Sequence, residues 1–201
     1  MEKRIIFATG NQNKMKEIHM ILADLGMPIY SMKEAGIDID IVEDGTTFEE
    51  NAQIKAKAIA KYLPDDIILA DDSGLEIDYL NKEPGIYSAR YAGVDTSYDI
   101  KNQMLLDRLK GVPDEKRTAR FVCAIAAAFP DGTVETVRGT IEGMIGYEIA
   151  GEHGFGYDPL FYVPEYGCTT AAMDTVQQKE RRHRGRALGA MTEIGARQDG
   201  E

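Results

Sequence analysis

The sequence predicts an α/β fold, and three observations carry that prediction. Two apolar runs, residues 67–70 and 121–129, have the length and the β-branched and aliphatic composition of buried strands. Three other segments, reaching to about Leu25, Leu63 and Lys110, place apolar residues at helical spacing and end at Gly or Pro. Strand-like and helix-like segments follow one another along the chain, the order expected of an α/β arrangement.

The bulk composition narrows the class. At 201 residues the chain fits one domain or two small lobes and can bury a substantial core. Hydrophobic residues make up 43% and charged residues 28%, as in an ordinary globular protein. With 23 Lys and Arg against 34 Asp and Glu, the formal charge is −11, which argues against non-specific nucleic-acid binding. A small anionic ligand stays open where a local cluster of bases or a metal overcomes the global field. Two cysteines, Cys123 and Cys168, make no disulfide framework, and Cys123 falls inside an apolar run as a small buried hydrophobe. Met1-Glu2-Lys3-Arg4 leads directly into a strand-like segment too short for a signal-peptide core, and no apolar run reaches the ~18 residues of a membrane span. The expected location is the cytoplasm, with no membrane partner.

Taken in order, residues 4–8 read as a first strand. Thr9-Gly10-Asn11-Gln12-Asn13-Lys14 follows and leads into a helix with Met15, Ile18, Leu22 and Leu25 on one face and Gly26 as its stop. Strand, Gly-containing polar loop and helix is the arrangement that aims backbone N–H groups at an anion, and Lys14 adds a point charge. The spacing is neither that of a P-loop nor that of a dinucleotide fingerprint, so alone the segment reads as a strand-to-helix turn. Residues 29–32 and 37–41 read as short strands, the second with Asp38 and Asp40 alternating against isoleucines.

A loop containing Glu43 precedes a strongly signalled helix over 47–63. Thr46 and Thr47 each have a Glu three residues later, the spacing of a capping box, and Pro64 lies just beyond the end. Phe48, Ala52 and Ile59 form its core stripe. Lys55 lies in that stripe with Asn51 one turn before it, either snorkelling to water or reaching inward to an anionic ligand.

Residues 67–70 and the alternating Leu75, Ile77 and Tyr79 read as two strands around Asp71-Asp72-Ser73-Gly74. Asp, Ser and Gly are turn residues, so the expectation is a turn; paired carboxylates at a strand end also suit a hard divalent cation and a general base. Residues 83–93 read as a loop, and 95–97 cap a helix to about Lys110 with Met104, Leu105 and Leu109 inward. Residues 121–129 turn through Pro130-Asp131-Gly132 into strands 133–140 and 141–147, with Gly139, Gly143 and Gly146 as bends. Gly154-Phe155-Gly156-Tyr157-Asp158-Pro159 reads either as a core aromatic turn or as a stacking site for a heterocycle, with a strand over 160–163 behind it. Residues 178–188 form the densest basic patch in an acidic chain.

In this order the segments resemble the inosine triphosphatase family, the non-canonical purine NTP or dITP/XTP pyrophosphatases. Thr9-Gly10-Asn11-Gln12-Asn13-Lys14 is similar to the family's T-x-N-x-x-K motif, and Phe48-Glu49-Glu50-Asn51-Ala52-Gln53-Ile54-Lys55-Ala56 to its F-x-x-N-A-x-x-K-A helix. Ala70-Asp71-Asp72-Ser73-Gly74-Leu75, Pro84-Gly85-Ile86-Tyr87-Ser88-Ala89-Arg90-Tyr91, Gly154-Phe155-Gly156-Tyr157-Asp158-Pro159 and His183-Arg184-Gly185 complete a set that covers nearly the whole chain.

The resemblance implies one domain over residues 1–201, built as a two-lobed α/β fold. It further implies a long central mixed sheet flanked by helices, with the active site in the cleft between lobes. It implies a homodimer and Mg²⁺-dependent hydrolysis of purine nucleoside triphosphates, with preference for ITP, dITP and XTP, to the monophosphate and pyrophosphate. By motif match, Thr9, Gly10, Asn11, Gln12, Asn13, Lys14 and Lys55 hold the triphosphate. Asp72 is the catalytic carboxylate and a metal ligand, Glu43 is a second metal ligand, and Ser73 lies close to the substrate. Phe155, Gly156, Tyr157, Asp158, Lys179, His183 and Arg184 bind the base and neighbouring groups. One departure stands out: Lys179 is four residues before His183 where the family has five, and Arg182 takes the position of a serine.

These residue types close the chemistry. Attack by water on the α-phosphorus requires charge neutralisation along the triphosphate and a carboxylate to orient or deprotonate the water. A purine 6-oxo group accepts from donors such as His183 or Arg184, whereas a 6-amino group would set donor against donor. The off-pattern Lys179 spacing favours the competing reading, a purine nucleotide sensor that does not hydrolyse its ligand. An aspartyl-phosphate phosphatase is disfavoured, because that chemistry uses Asp-x-Asp and here the aspartates are adjacent.

Overall fold

A computed structural model describes residues 3–174 together with Val176 and Gln177. The α/β expectation holds. The strands are β1 (Ile5–Phe7), β2 (Ile29–Ser31), β3 (Ile67–Ile77), β4 (Thr118–Ala128), β5 (Val134–Ile145), β6 (Phe161–Val163) and β7 (Cys168–Thr169). The helices are α1 (Gln12–Leu22), α2 (Phe48–Ala60) and α3 (Tyr98–Arg108). The strands form a seven-stranded sheet in the order β2-β1-β3-β4-β5-β6-β7. It is mixed: β1 pairs parallel with β2 and β3, while β5–β6 and β6–β7 pair antiparallel.

The described residues divide into two compact units, one of residues 3–72 and 123–139, the other of 73–122 and 140–174 with Val176 and Gln177. In the first, Ile5 and Phe7 of β1 pack with Met15, Ile18 and Leu22 of α1 and with Leu69, Cys123 and Ile125. Burying such side chains stabilises by ~1.5–3 kcal/mol each, and this is what holds α1 on the sheet. The stop at Gly26 is realised with φ +67°, after a 3₁₀ turn over Ala23–Leu25. In the second unit, Leu75, Ile77, Leu105, Leu109, Ile141, Ile145, Leu160 and Phe161 form the core. Buried Arg117 closes the end of α3 by donating to the carbonyls of Leu109, Val112, Ile145 and Gly146. No helix among the described residues is long and apolar enough to cross a membrane.

Four expectations fail, each for a physical reason. Asp71-Asp72-Ser73-Gly74 makes no turn: β3 is one strand of 11 residues running through it. β3 pairs with β1 at residues 67–69 and lies between β1 and β4 in the sheet, and this extended course through the sheet outweighs local turn preference. Residues 37–41 form no strand, although their burial alternates as a strand's would. The extended segment half-buries Ile37, Ile39 and Ile41 but has no ladder partner among the described residues.

Strand β5 is likewise continuous over 12 residues instead of two strands. A Cβ on Gly143 would lie 2.6 Å from the Tyr162 carbonyl oxygen, so this glycine admits β6 instead of breaking β5. In α3, Met104 is 40% exposed, and the inward positions are Lys101, Asn102 and Leu105.

Candidate active site

Asp71 and Asp72 are consecutive residues of a strand, so their side chains leave the sheet on opposite faces. That geometry separates two carboxylates that a turn would have left side by side. Asp71 is buried and pairs with Lys14, Nζ to Oδ1 at 2.9 Å. Lys14 stands in the first turn of α1, where the Thr9 Oγ1 accepts from the Asn11 amide at 3.1 Å and the Asn11 Oδ1 accepts from the Lys14 amide at 3.2 Å. Gly10, Asn11 and Gln12 are exposed, and a Cβ on Gly10 would meet open space.

On the other side, α2 supplies the partners of Asp72. Thr47 caps this helix by accepting from the Glu50 amide at 3.1 Å, and the Glu50 carboxylate reaches back to the Thr46 amide at 2.7 Å. So anchored, the helix presents Asn51, Ala52, Ile59 and, along the same stripe, Lys55. Asn51 is fully buried and uses both ends of its amide. Its Nδ2 donates to Asp72 Oδ2 at 3.2 Å, and its Oδ1 accepts from the Gly45 amide at 2.9 Å. Gly45 is required here, since a Cβ would lie 2.7 Å from that Oδ1. Lys55, with its side chain 17% exposed, points inward: Nζ pairs with Glu43 Oε1 at 2.9 Å and also donates to the Asp71 carbonyl. Glu43 continues the odd-numbered face of the extended segment, in phase with Ile37, Ile39 and Ile41, and this phase delivers it to Lys55.

The electrostatics follow from burial. Asp72 is pushed up to about 6, by burial first and by Glu43 and Asp71 in addition, against the opposing pull of Lys55 and of the Asn51 hydrogen bond. Burial draws Lys55 downward, but the attraction of Asp71, Glu43 and Asp72 outweighs it and leaves the ammonium raised. An aspartate of pKa near 6 accepts a proton readily at neutral pH, the property required of a general base.

Three carboxylates face two ammonium groups in this cluster. Among the described residues no group of three or more His, Cys, Asp or Glu side chains is arranged to hold a metal. Mg²⁺ rarely takes a cage made wholly of protein. It binds through one or two carboxylates, completing its shell with water and substrate phosphates, and a pair such as Glu43 and Asp72 fits that pattern.

The remaining expected residues lie elsewhere in the chain. Ser73 follows Asp72 on β3, half-buried. In the 154–158 loop, Gly154 and Gly156 have φ of +77° and +63°, which only glycine adopts without strain. Phe155 is 70% exposed, whereas Tyr157 is buried in the second unit's core and donates to the Ser88 carbonyl at 2.6 Å. Both oxygens of Asp158 accept bonds within the fold, from the Phe155 amide at 2.9 Å and from Thr170 Oγ1 at 2.8 Å. Lys179, His183 and Arg184 lie outside the described residues, and the side chain of Asn13 is likewise not described.

Sequence reasoning singled out Lys55 and Asp72 but assigned no role to Asn51 or Gly45. The signal for Asn51 was present: it lies four residues before Lys55, on the same helical face. Nothing local announced Gly45, whose neighbour is fixed by tertiary contact.

The sequence profile of the Ham1 family matches residues 5–194. The dITP/XTP pyrophosphatase of Clostridium perfringens (strain 13 / Type A) is 50% identical over 191 residues, covering 92% of this chain and 94% of that protein. The dITP/XTP pyrophosphatase of Bacillus subtilis (strain 168) is 43% identical over 192 residues, 96% of each chain. Among solved structures, the Staphylococcus aureus Ham1 protein superposes with a TM-score of 0.89 at 39% identity, over 98% of this chain and 100% of that one.

Proposed function

The chain belongs to the Ham1 family, and from that premise we propose that it hydrolyses non-canonical purine nucleoside triphosphates such as ITP, dITP and XTP to the monophosphate and pyrophosphate. The observation that carries the reading is Asp72, a carboxylate pushed up to about 6, held by Asn51 and drawn by the inward Lys55, while Lys14 pairs with the adjacent Asp71. The names of the curated relatives, dITP/XTP pyrophosphatases at 42–50% identity, support it.

In this reading Lys14 and Lys55 bind non-bridging phosphate oxygens. Water attacks the α-phosphorus, and the new P–O bond forms as the bond to the α–β bridging oxygen breaks. The water proton passes to Asp72, and pyrophosphate carries away the electron pair of the broken bond. Asn51 occupies Asp72 Oδ2, which orients the carboxylate so that Oδ1 faces the water. Mg²⁺, held through Glu43 and Asp72, would supply charge neutralisation on the triphosphate when bound. The exposed Phe155 ring offers a stacking face for the purine. Mg²⁺ dependence, a homodimer and a cytoplasmic location belong to the same proposal.

The test is to incubate the protein with ITP and with ATP in the presence of Mg²⁺ and resolve the products. IMP and pyrophosphate from ITP, with ATP at least tenfold slower, is the expected result. Inorganic phosphate in place of pyrophosphate, equal rates on both nucleotides, or saturable ITP binding without product would overturn it.

A further inference from the structure

Helix α3 buries an unusual face. Lys101 and Asn102, adjacent residues in its middle, are each 1% exposed, while Ile100 and Met104 on the same helix face outward at 54% and 40%. An apolar residue would be the ordinary choice for either position if only packing were at stake. What the two polar side chains share is their target, since each donates to a main-chain carbonyl of a separate loop. Lys101 Nζ donates to the Ala89 carbonyl at 2.7 Å, within the 3₁₀ turn Gly85–Arg90. Asn102 Nδ2 donates to the Gly156 carbonyl at 3.1 Å, at the centre of the 154–158 loop.

The surrounding contacts tie these two loops together. Tyr98, one turn before Asn102, meets Tyr157 edge-on with ring centroids 5.2 Å apart, and a Cβ on Gly156 would lie 3.5 Å from the Tyr98 ring. The Lys101 ammonium sits 4.6 Å from the centroid of that same Tyr98 ring. Tyr157 donates to the Ser88 carbonyl, while the Ser88 hydroxyl donates to the Gly85 carbonyl and accepts from the Leu75 amide. All of these residues belong to the second compact unit. Asn102 serves this role at some expense to packing: its Oδ1 is buried and has no hydrogen-bond partner among the described residues.

We infer that Lys101 and Asn102 are positioning residues that fix the purine-recognition loop 154–158 against the 85–90 turn, so that Asn102 sets the affinity for the base without touching the nucleotide. The inference rests on the function proposed above for its account of selectivity, though not for its account of loop order. With Gly156 pinned by its carbonyl, the exposed Phe155 ring is carried on a fixed backbone. Without the bond, the two glycines flanking Phe155 leave that ring free to sample many orientations.

The experiment compares wild type with Asn102→Ala and with Asn102→Asp, which keeps the volume but, ionised, cannot donate. Two readouts are used: steady-state hydrolysis of ITP and ATP, and backbone hydrogen exchange. Both variants are expected to raise KM for ITP about tenfold with kcat within threefold of wild type, and to narrow the ITP-to-ATP ratio. Exchange of the 155–158 amides should quicken at least tenfold while β4 amides are unchanged. Should Asn102→Ala not fold, Asn102→Asp alone decides. Wild-type KM and loop exchange in the folded variant, accompanied only by a lower melting temperature, would overturn the inference and leave Asn102 a packing residue. If the wild-type protein releases no pyrophosphate from ITP, the proposed function falls, and loop exchange still decides the role of Asn102 by itself.

Discussion

Asp72 lies on β3 and Asp78 directly after its end, each with basic partners within reach, and their carboxyl groups are displaced in opposite directions. Asp78 accepts from Arg120 Nη1 and Nη2, each at 3.0 Å, and from Thr118 and Lys82, and these bonds hold it well below the usual carboxylate range. Arg120 further pairs with Glu76 and Glu142, and its own guanidinium is raised, chiefly by the bond to Asp78. Two cations and a hydroxyl thus converge on Asp78. Asp72, by contrast, has one hydrogen bond from a neutral amide, a lysine shared with Glu43 and the Asp71 carbonyl, and two further carboxylates nearby. Burial then dominates and moves Asp72 upward. Counting carboxylate–cation contacts would rank Arg120 first; asking which carboxylate is left short of compensation selects Asp72.

The contrast is sharpest under substitution. Asp72→Asn should reduce turnover of ITP by ~10³-fold, the scale of a lost general base, while the protein folds normally. Its stability should rise at neutral pH by about 1 kcal/mol. The folded pKa, about 6, lies above the unfolded value, so between those values the folded state binds more protons and Asp72 costs stability as pH rises through the window. Denaturant melts at pH 4 and pH 7 check this, and a variant destabilised at pH 7 would put Asp72 in the same class as Asp78.

Lys55→Gln should lower kcat/KM for ITP by ~10²-fold, through loss of one charged contact to the triphosphate. In the metal-free protein, removing the ammonium that draws Asp72 downward should move its titration above the wild-type value of about 6. Carboxyl carbon NMR reads this directly, and a midpoint that stays or falls would show that Lys55 does not govern Asp72.

Asp78→Asn should show the smallest effect, with activity within twofold of wild type. Its folded pKa lies below the unfolded value, so the contribution of Asp78 is present above pH ~4 and lost as pH falls through the folded pKa. With the side chain 29% exposed, solvent screening limits the loss on substitution to about 1 kcal/mol at pH 7, vanishing in strong acid, as urea melts will measure. A large activity loss would erase the distinction between the two clusters.

Much of this was legible in the chain. Thr47 with Glu50, Ser97 before α3 and Gly26 after α1 are local devices, and each sits where its chemistry predicts. Lys55 was conspicuous because helical spacing puts it in line with Ala52 and Ile59. Less legible were the positions where a non-local partner decides. The Asp71-Asp72-Ser73-Gly74 string reads as a turn until the sheet carries β3 straight through it. Residues 37–41 read as a strand, yet among the described residues no neighbour pairs with them. Met104 fits an inward helical position until Lys101 and Asn102 take the buried face for the sake of two loops more than fifty residues apart.

The sequence by itself determined the class of fold, the N-caps of α2 and α3, the acidic balance and the place of Lys55 in its helical stripe, while the resemblance to a family marked Asp72. Apart from Asp72, these depend on interactions within a few residues or on composition. Only the tertiary structure decided that Asp71 and Asp72 face opposite sides of one strand, that Asn51 and Gly45 hold Asp72 in place, and that burial raises one aspartate while an arginine lowers its neighbour six residues on. Burial and hydrogen-bond partnership belong to the packed chain, and a pKa is set by both.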